Sequence, residues 1–396
     1  MSLLRMAVEN YRCFKERQEI ELRPITVILG KNNSGKSALT RLPLLLETGI
    51  NSDSSLPLDL DRLGDDPPDF LDLVYGNSPH RPLRIEFSTE VADVTVTIQN
   101  IAELHTQVVS EFAAEFADES LRVLWQQNTG PISHRTIRNG EPDTDGQAFF
   151  LGILPRNERP VWDIVHSLPA PSYLGPFRHR PQRMIRLPAR PITGVGPMGE
   201  HAAGMLVSDH VRGGGLLIEG VNELLGDGLA GWQLAVESHG PVYSVILRST
   251  TDPGVIAHLP DAGTGVTQVL PLLIQLLQPA EGLQVVEEPE LHLHPAFHAM
   301  LADLFIHGMN LNSGRFLIET HSETMLLRLR RRIAEGVISH DDVAIHYVEH
   351  ANGASRVRQI SIDEFGNVGY WPDGVFSEDF EETKKLAEAQ MAREGE

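Results

Sequence analysis

The chain opens with alternating apolar and polar positions over Leu3–Val8 and again over Glu19–Leu22, followed by an unbroken apolar and β-branched run, Ile25–Leu29, that ends at Gly30. Alternation predicts strands with one wet face, and the unbroken run predicts a strand buried on both faces. Residues 37–48 have helical spacing, with Pro43 expected to kink or end the helix because it deletes a donor and clashes one turn back. Residues 51–82 are polar, acidic and rich in Pro and Gly, which predicts a surface excursion. Strand patterns return at Arg84–Phe87 and Val94–Ile98. Apolar spacing then predicts a helix near Glu111–Gln127, and polar composition predicts a loop over Asn128–Gln147. Between Leu168 and Glu200, prolines at 169, 171, 176, 181, 188, 191 and 197 leave no regular element of any length.

Beyond Gly240 the texture changes. Val242–Leu247, Val266–Leu277, Leu283–Glu287, Phe297–Phe305, Phe316–Thr320 and Met325–Ala334 alternate between strand and helix patterns, the mark of an α/β layer. Residues 343–348 and 356–362 read as a late strand pair, and the tail from Ser377 is acidic and expected to be helical or frayed. No internal repeat is present and no heptad pattern lasts long enough for a coiled coil.

Composition narrows the class. The 396 residues allow two or three domains, and 33 Lys+Arg against 54 Asp+Glu leave a net charge of −21. A chain that coats nucleic acid by bulk charge is disfavoured, because such binding leaves a basic footprint. Cys13 is the single cysteine, so no intrachain disulfide forms, which fits a reducing compartment. The N-terminus reads as a strand rather than a signal peptide, and nowhere do about 18 apolar residues run uninterrupted. A cytoplasmic protein without a membrane partner is expected.

Four segments carry chemistry. Gly30-Lys31-Asn32-Asn33-Ser34-Gly35-Lys36-Ser37 matches G-x-x-x-x-G-K-[ST] between a strand and a helix. In that motif backbone N–H groups and a helix N-terminus surround phosphates, Lys36 bridges the β- and γ-phosphates of ATP, and Ser37 holds Mg²⁺. Leu283–Glu287 delivers two acids at the end of a buried strand, so that Glu287 reaches the Mg²⁺ shell while Glu288 orients and deprotonates the attacking water. Phe316–Thr320 is a second apolar strand, ending in His321, a candidate for the γ-phosphate or the water. The turn Gly263-Thr264-Gly265, with Gln268 behind it, opens a helix and offers N–H groups to an anion.

The order of these segments is that of ABC-type ATPase heads. The chain resembles the branch containing the SMC proteins, RecF and the OLD-type ATPases through "LLRMAVENYRCFKERQEIELRPITVILGKNNSGKS", "DAGTGVTQVLP" in the signature position, "EEPELHLHP" and "ETHS". These matches cover residues 1–48 and 258–335. "SYLGPFRHRP", "GVGPMGEHAA" and "IDEFGNVGYWPDGVF" are similar to a group of bacterial ATPases. The resemblance implies an α/β P-loop NTPase of ABC-ATPase type, with a head from residues 1–100 and 240–345, an inserted lobe at 101–239, and a C-terminal extension at 346–396 with an acidic tail. It further implies that ATP and Mg²⁺ are sandwiched between two copies, each P-loop being completed by the partner's Gly263–Gly265 turn.

Departures shape the expected role. Gly-Thr-Gly-Val-Thr-Gln replaces a transporter signature, the stretch between Ser37 and Asp261 is too short for an SMC coiled-coil arm, and the residues after His321 hold no clustered acids of a Toprim nuclease. His292, His294 and His298, beside Glu290, read as a dimer-interface loop rather than a metal site. Arg178, Arg180, Arg183, Arg186 and Arg190 form one basic run and Arg328, Arg330, Arg331 and Arg332 another, each a candidate for DNA phosphates or for a solvated face. Two functions remain open: an ATP-gated machine for DNA repair or antiphage defence with a separate effector protein such as a nuclease, or an ATP-gated scaffold that holds a protein or toxin without touching DNA.

Overall fold

The computed structural model describes residues 1–372 and 385–386, apart from 65, 105, 118, 127–132, 230 and 280–281. The expected tail from Ser377 lies outside the described residues, save 385–386. The chain begins with β1 (Leu3–Glu9), β2 (Gln18–Glu21) and β3 (Ile25–Gly30), followed by α1 (Lys36–Thr40), α2 (Leu42–Ile50) and α3 (Phe70–Leu73). The helical break falls at Arg41, and Pro43 stands in the first turn of α2. The helical stretch is thus interrupted as expected, and in the first turn of α2 the N–H that proline lacks is one the helix would leave unbonded, so Pro43 is accommodated there.

Next come β4 (Leu83–Thr89), β5 (Ala92–Ile101), β6 (Thr106–Phe116), β7 (Glu119–Gln126), β8 (Ser133–Arg138) and β9 (Glu141–Gln147). They form an antiparallel sheet in the order β2-β1-β4-β5-β6-β7-β8-β9. Two expectations fail here. Glu111–Gln126 is not helical: Phe112, Ala114 and Phe116 are buried at a spacing of two, and β6 pairs β7 from Glu111↔Leu124 to Phe116↔Glu119. A sheet with one buried face overrides the helix preference of the Ala and Glu residues between them. The polar stretch expected as a loop holds β8 and β9, joined by Asn139 (φ 50) and Gly140 (φ 81). Positive φ at both central residues is what a tight two-residue hairpin demands.

The remaining elements are β10 (Phe150–Leu151), β11 (Leu154–Pro155), α4 (Arg159–His166), β12 (Ser172–Leu174), β13 (Ile185–Arg186), α5 (Ala202–Ser208), α6 (Leu216–Leu225), β14 (Trp232–His239), β15 (Val242–Ser249), β16 (Ile256–His258), α7 (Thr264–Leu277), β17 (Leu283–Glu287), α8 (Pro295–Asn312), β18 (Arg315–Glu319), α9 (Glu323–Ala334), β19 (Val343–Ala351) and β20 (Ala354–Ile360). The proline-rich stretch carries only the three residues of β12 and the two of β13.

A mixed sheet, β12-β17-β18-β3-β19-β20, forms the centre, parallel from β12 to β19 and closed by antiparallel β20. Its alternating side chains feed two cores: Val27, Val286 and Ile318 pack with α5 to α9, whereas Ile28, Val285 and Leu317 pack with α2 and the antiparallel sheet. Burial on both faces explains the unbroken apolar runs. Among the described residues no helix is long and apolar enough to cross a membrane.

Candidate nucleotide site

Parallel pairing in register brings the chemistry to one edge. Ile318 lies opposite Val27, Glu319 opposite Ile28, and Glu287 opposite Glu319, so the loops after β3, β17 and β18 leave the sheet side by side. The carboxyl edge of a parallel sheet is where such folds bind ligands.

The loop after β3 is built around close approaches. Gly30 has φ +154 and a Cβ there would lie 2.4 Å from the Val348 carbonyl oxygen; Gly35 has φ +104 and a Cβ would lie 2.4 Å from Cys13 Sγ. Side chains are excluded at both positions. Asn33 takes the left-handed conformation (φ 59) between them, and the Ser34 N–H donates back to the Lys31 carbonyl at 3.2 Å. Lys36 is buried, its Nζ donating to the Lys31 carbonyl at 3.0 Å and lying 3.9 Å from Glu319 Oε1. Burial holds its pKa below the usual range, opposed by the charges of Glu319, Glu288 and Glu290. Ser37 Oγ donates to Glu319 Oε1 at 2.9 Å.

Glu319, which the sequence motifs leave without a role, is the carboxylate that meets Ser37. The signal was present: Phe316-Leu317-Ile318-Glu319 repeats the form of Val285-Val286-Glu287, an apolar strand ending in an acid. Burial, then the neighbouring Glu287 charge, raises Glu319 to about 7. Its Oε2 is buried without a hydrogen-bond partner. An orphaned carboxylate oxygen beside a serine hydroxyl is an all-oxygen donor set, which suits Mg²⁺. Glu287, expected in the Mg²⁺ shell, is gripped by Arg41, with Nε and Nη2 each donating at 2.6 Å. Arg41 also lies over the Tyr173 ring, 5.8 Å from its centroid.

Glu288 follows with a left-handed backbone (φ 45), and its N–H donates to the Glu319 carbonyl at 2.7 Å, which ties the two strand ends together. Glu290 is buried and its Oε1 accepts from the His321 N–H at 2.5 Å. Desolvation raises the Glu290 pKa. His321 titrates below its usual range, through desolvation and then the Lys36 charge, so its imidazole is neutral at pH 7. Lys36, Ser37, Glu287, Glu288 and His321 are therefore brought together, with Glu290 and Glu319 added to them.

Gly263 caps α7 without a side-chain cap, and the turn through Gly265 is open: a Cβ at Gly263 meets nothing within 4 Å, and one at Gly265 stays 3.7 Å from Leu293. The turn borders a cavity of ≈ 320 Å³ lined by Leu225, Leu229, Val269, Leu293, His294 and Phe297. Gln268 lies one turn further along α7. His294 Nδ1 accepts from the Ala296 N–H and so caps α8, and no group of three or more His, Cys, Asp or Glu that could hold a metal ion occurs among the described residues.

The basic runs are largely engaged within the chain. Arg180 donates to the Pro260 carbonyl at 3.1 Å and Arg183 pairs with Asp261 at 2.7 Å. Arg328 and Arg332 both grip Asp303, Arg330 donates to the Gly366 carbonyl, and Arg331 pairs with Glu335. These partners lie far away in sequence or one helical turn on, which a reading of charge runs does not reveal.

The family described as "AAA ATPase domain" matches residues 1–112 and 235–326. A second, described as "Protein of unknown function (DUF3696)", matches residues 338–386. No curated protein matches the chain. Among solved structures, the chain is similar to the SmcHead bound to the C-winged helix domain of ScpA, at 13 % identity over 92 % of this chain and 99 % of that one, with a TM-score of 0.49. It is similar to the SMC head domain from Thermotoga maritima, at 12 % identity over 91 % and 100 %, TM-score 0.42. It is also similar to the Smc head domain with an extended coiled coil bound to the C-terminal domain of ScpA, from Pyrococcus furiosus, at 12 % identity over 91 % and 96 %, TM-score 0.46.

Proposed function

The chain belongs to the AAA ATPase domain family, and on that premise we propose that it hydrolyses ATP at a site completed by a second copy of itself. The observation that carries this is the meeting of Lys36, Ser37, Glu319 and Glu288 at the carboxyl ends of three neighbouring parallel strands. The N–H groups of residues 30–37 cradle the phosphates, and Lys36 exchanges the Lys31 carbonyl for the β- and γ-phosphates. Ser37 and Glu319 would hold Mg²⁺, beside Glu287, and the metal when bound neutralises phosphate charge. Glu288 orients the water and takes its proton. Neutral His321, its backbone held by Glu290, hydrogen-bonds the γ-phosphate or the water. The open Gly263–Gly265 turn and Gln268 face the partner's γ-phosphate, so ATP closes the pair and hydrolysis releases it.

In this reading the head comprises residues 1–100 and 240–345. Residues 101–239 form an inserted lobe whose strands β6 to β9 extend the head's antiparallel sheet, and 346–396 form an extension that begins within β19. The pair works in the cytoplasm, driving a separate effector such as a nuclease in DNA repair or antiphage defence. The scaffold reading gains from the engagement of Arg180, Arg183, Arg328 and Arg332 within the chain, which leaves fewer cations for DNA phosphates. DNA-stimulated ATPase with a steep salt dependence favours the machine; its absence favours the scaffold. The ATPase itself is tested by Lys36→Ala, which loses ATP binding by calorimetry, and by Glu288→Gln, which binds ATP and accumulates a dimer by light scattering with little phosphate release. Full turnover by either variant overturns the assignment.

A further inference from the structure

Arg178 has a guanidinium with too little to do. Its Nε and Nη1 are buried without hydrogen-bond partners, and Nη2 reaches the Glu287 carbonyl only at 3.5 Å, the outer limit for such a bond. Burial brings its pKa down to about 10, so it stays charged at neutral pH. A buried, charged fork with idle donors costs free energy unless something fills it.

Its place in the fold says what. Leu174 of β12 lies opposite Val286 of β17, so the segment after β12 leaves the sheet at the same edge as Glu287 and Glu288. Glu287, Glu290 and Glu288 act on the charge of Arg178, and Glu319, Glu288 and Glu290 on that of Lys36. The two cations thus share two acidic neighbours, one of them the proposed base. The same segment then runs to the glycine turn. The His179 N–H donates to the Met198 carbonyl at 2.7 Å, Arg180 holds Pro260 at 3.1 Å, and Arg183 holds Asp261 at 2.7 Å, two residues before Gly263.

We infer that Arg178 is a ligand of the terminal phosphate of ATP, and that residues 175–183 are a strap carrying its engagement to the Gly263–Gly265 turn of the same chain. This rests on the ATPase reading and adds to it a residue that tells ATP from ADP. It also gives a route by which one nucleotide site sets the turn that completes the other. Arginine suits the task because its planar fork grips phosphate with two donors.

The test compares a non-hydrolysable ATP analogue with ADP by calorimetry in Mg²⁺, on the full chain. Arg178→Gln should weaken the analogue by about 10- to 100-fold while ADP changes by less than about 2-fold, since only the terminal phosphate is affected. Arg178→Lys should recover part of the loss. An unchanged ratio, or an equal loss for both nucleotides, overturns the assignment. A parent protein that binds neither nucleotide overturns the ATPase reading with it, and that is visible before any variant is made. For the strap, amide exchange at residues 259–265 is followed at concentrations where light scattering shows monomer. In the parent the analogue should slow exchange relative to ADP. Arg183→Ala should abolish that difference while leaving analogue affinity within about 2-fold of the parent. Identical exchange with both nucleotides in the parent, or a difference that survives Arg183→Ala, refutes the strap.

Discussion

Glu319→Gln removes one carboxylate from the pair that the register of β17 and β18 places side by side, and keeps an amide that can still bond Ser37. Burial and the Glu287 charge hold Glu319 at about 7 in the folded chain, against 4.5 for an ordinary glutamate. That displacement corresponds to about 3 kcal/mol. The sign follows from which state gives up its proton first. Below pH 4.5 both states hold the proton and the side chain contributes nothing. Between 4.5 and 7 the unfolded chain releases it while the folded chain retains it, so stability falls as pH rises, and above 7 the whole loss persists. Urea unfolding in the presence of a chelator, from pH 5 to 8, should show the variant gaining on the parent, from close to parity at the acid end to about 3 kcal/mol at pH 8. Subtracting parent from variant removes the histidines, His321 and His346 among them, whose lowered pKa values push the other way. Adding Mg²⁺ with nucleotide should then stabilise the parent more than the variant. A difference that does not change with pH, or a variant less stable than the parent at pH 8, would refute the placement of Glu319 beside Glu287.

Gly35→Ala forces a Cβ into φ +104 and to within 2.4 Å of Cys13 Sγ, so melting should drop by the equivalent of about 2–4 kcal/mol and ATP binding should fail; a parent-like melt with normal calorimetry contradicts the loop geometry. Gly265→Asp has room to fold, since its nearest neighbour would be Leu293 at 3.7 Å, so monomeric ATP binding should persist while the anion repels the partner's γ-phosphate and blocks closure; ATP-dependent dimers by light scattering would remove the turn from the site. Arg41→Ala leaves Glu287 buried without its bidentate partner and should cost about 1–3 kcal/mol in urea unfolding at pH 8, the half-exposed arginine keeping it below the full price of a buried pair; no loss would show the pair to be incidental.

The elements legible in the sequence are those whose surroundings are uniform. Ile25–Gly30, Leu283–Glu287 and Arg315–Glu319 are buried on both faces, so every position repeats the same instruction and the runs read as strands without ambiguity. Strands β6 and β7 were not legible because Ala113, Ala114 and Glu115 are strong helix formers. Their strand state is decided by a partner across the sheet, and Ala114 faces the core only because the pairing of Val94 with Ala114 sets that register. The hairpin at Asn139-Gly140 shows the opposite case, a local signal outweighed by the polar composition around it.

The same division explains the site. The glycine loop is local: its spacing, its positive φ values and its helix start are all written within residues 30–37, and the structure needs only to display them. The carboxylate on Ser37 is not local. Glu287 and Glu319 end strands of the same form, and which of them meets the serine depends on two facts that strand spacing does not contain: β18 lies between β17 and β3, and Arg41 reaches across to Glu287. The arginines follow suit. In sequence Arg178, Arg180, Arg183, Arg186 and Arg190 form a basic run, and a run suggests a surface for an external polyanion. In the fold the first three are spent separately, two on the loop before Gly263 and one beside the acids of the nucleotide site, while Arg186 and Arg190 stay exposed. Three of the five cations of this run are thus held within the chain, which leaves fewer of them for an external polyanion than the run itself suggests.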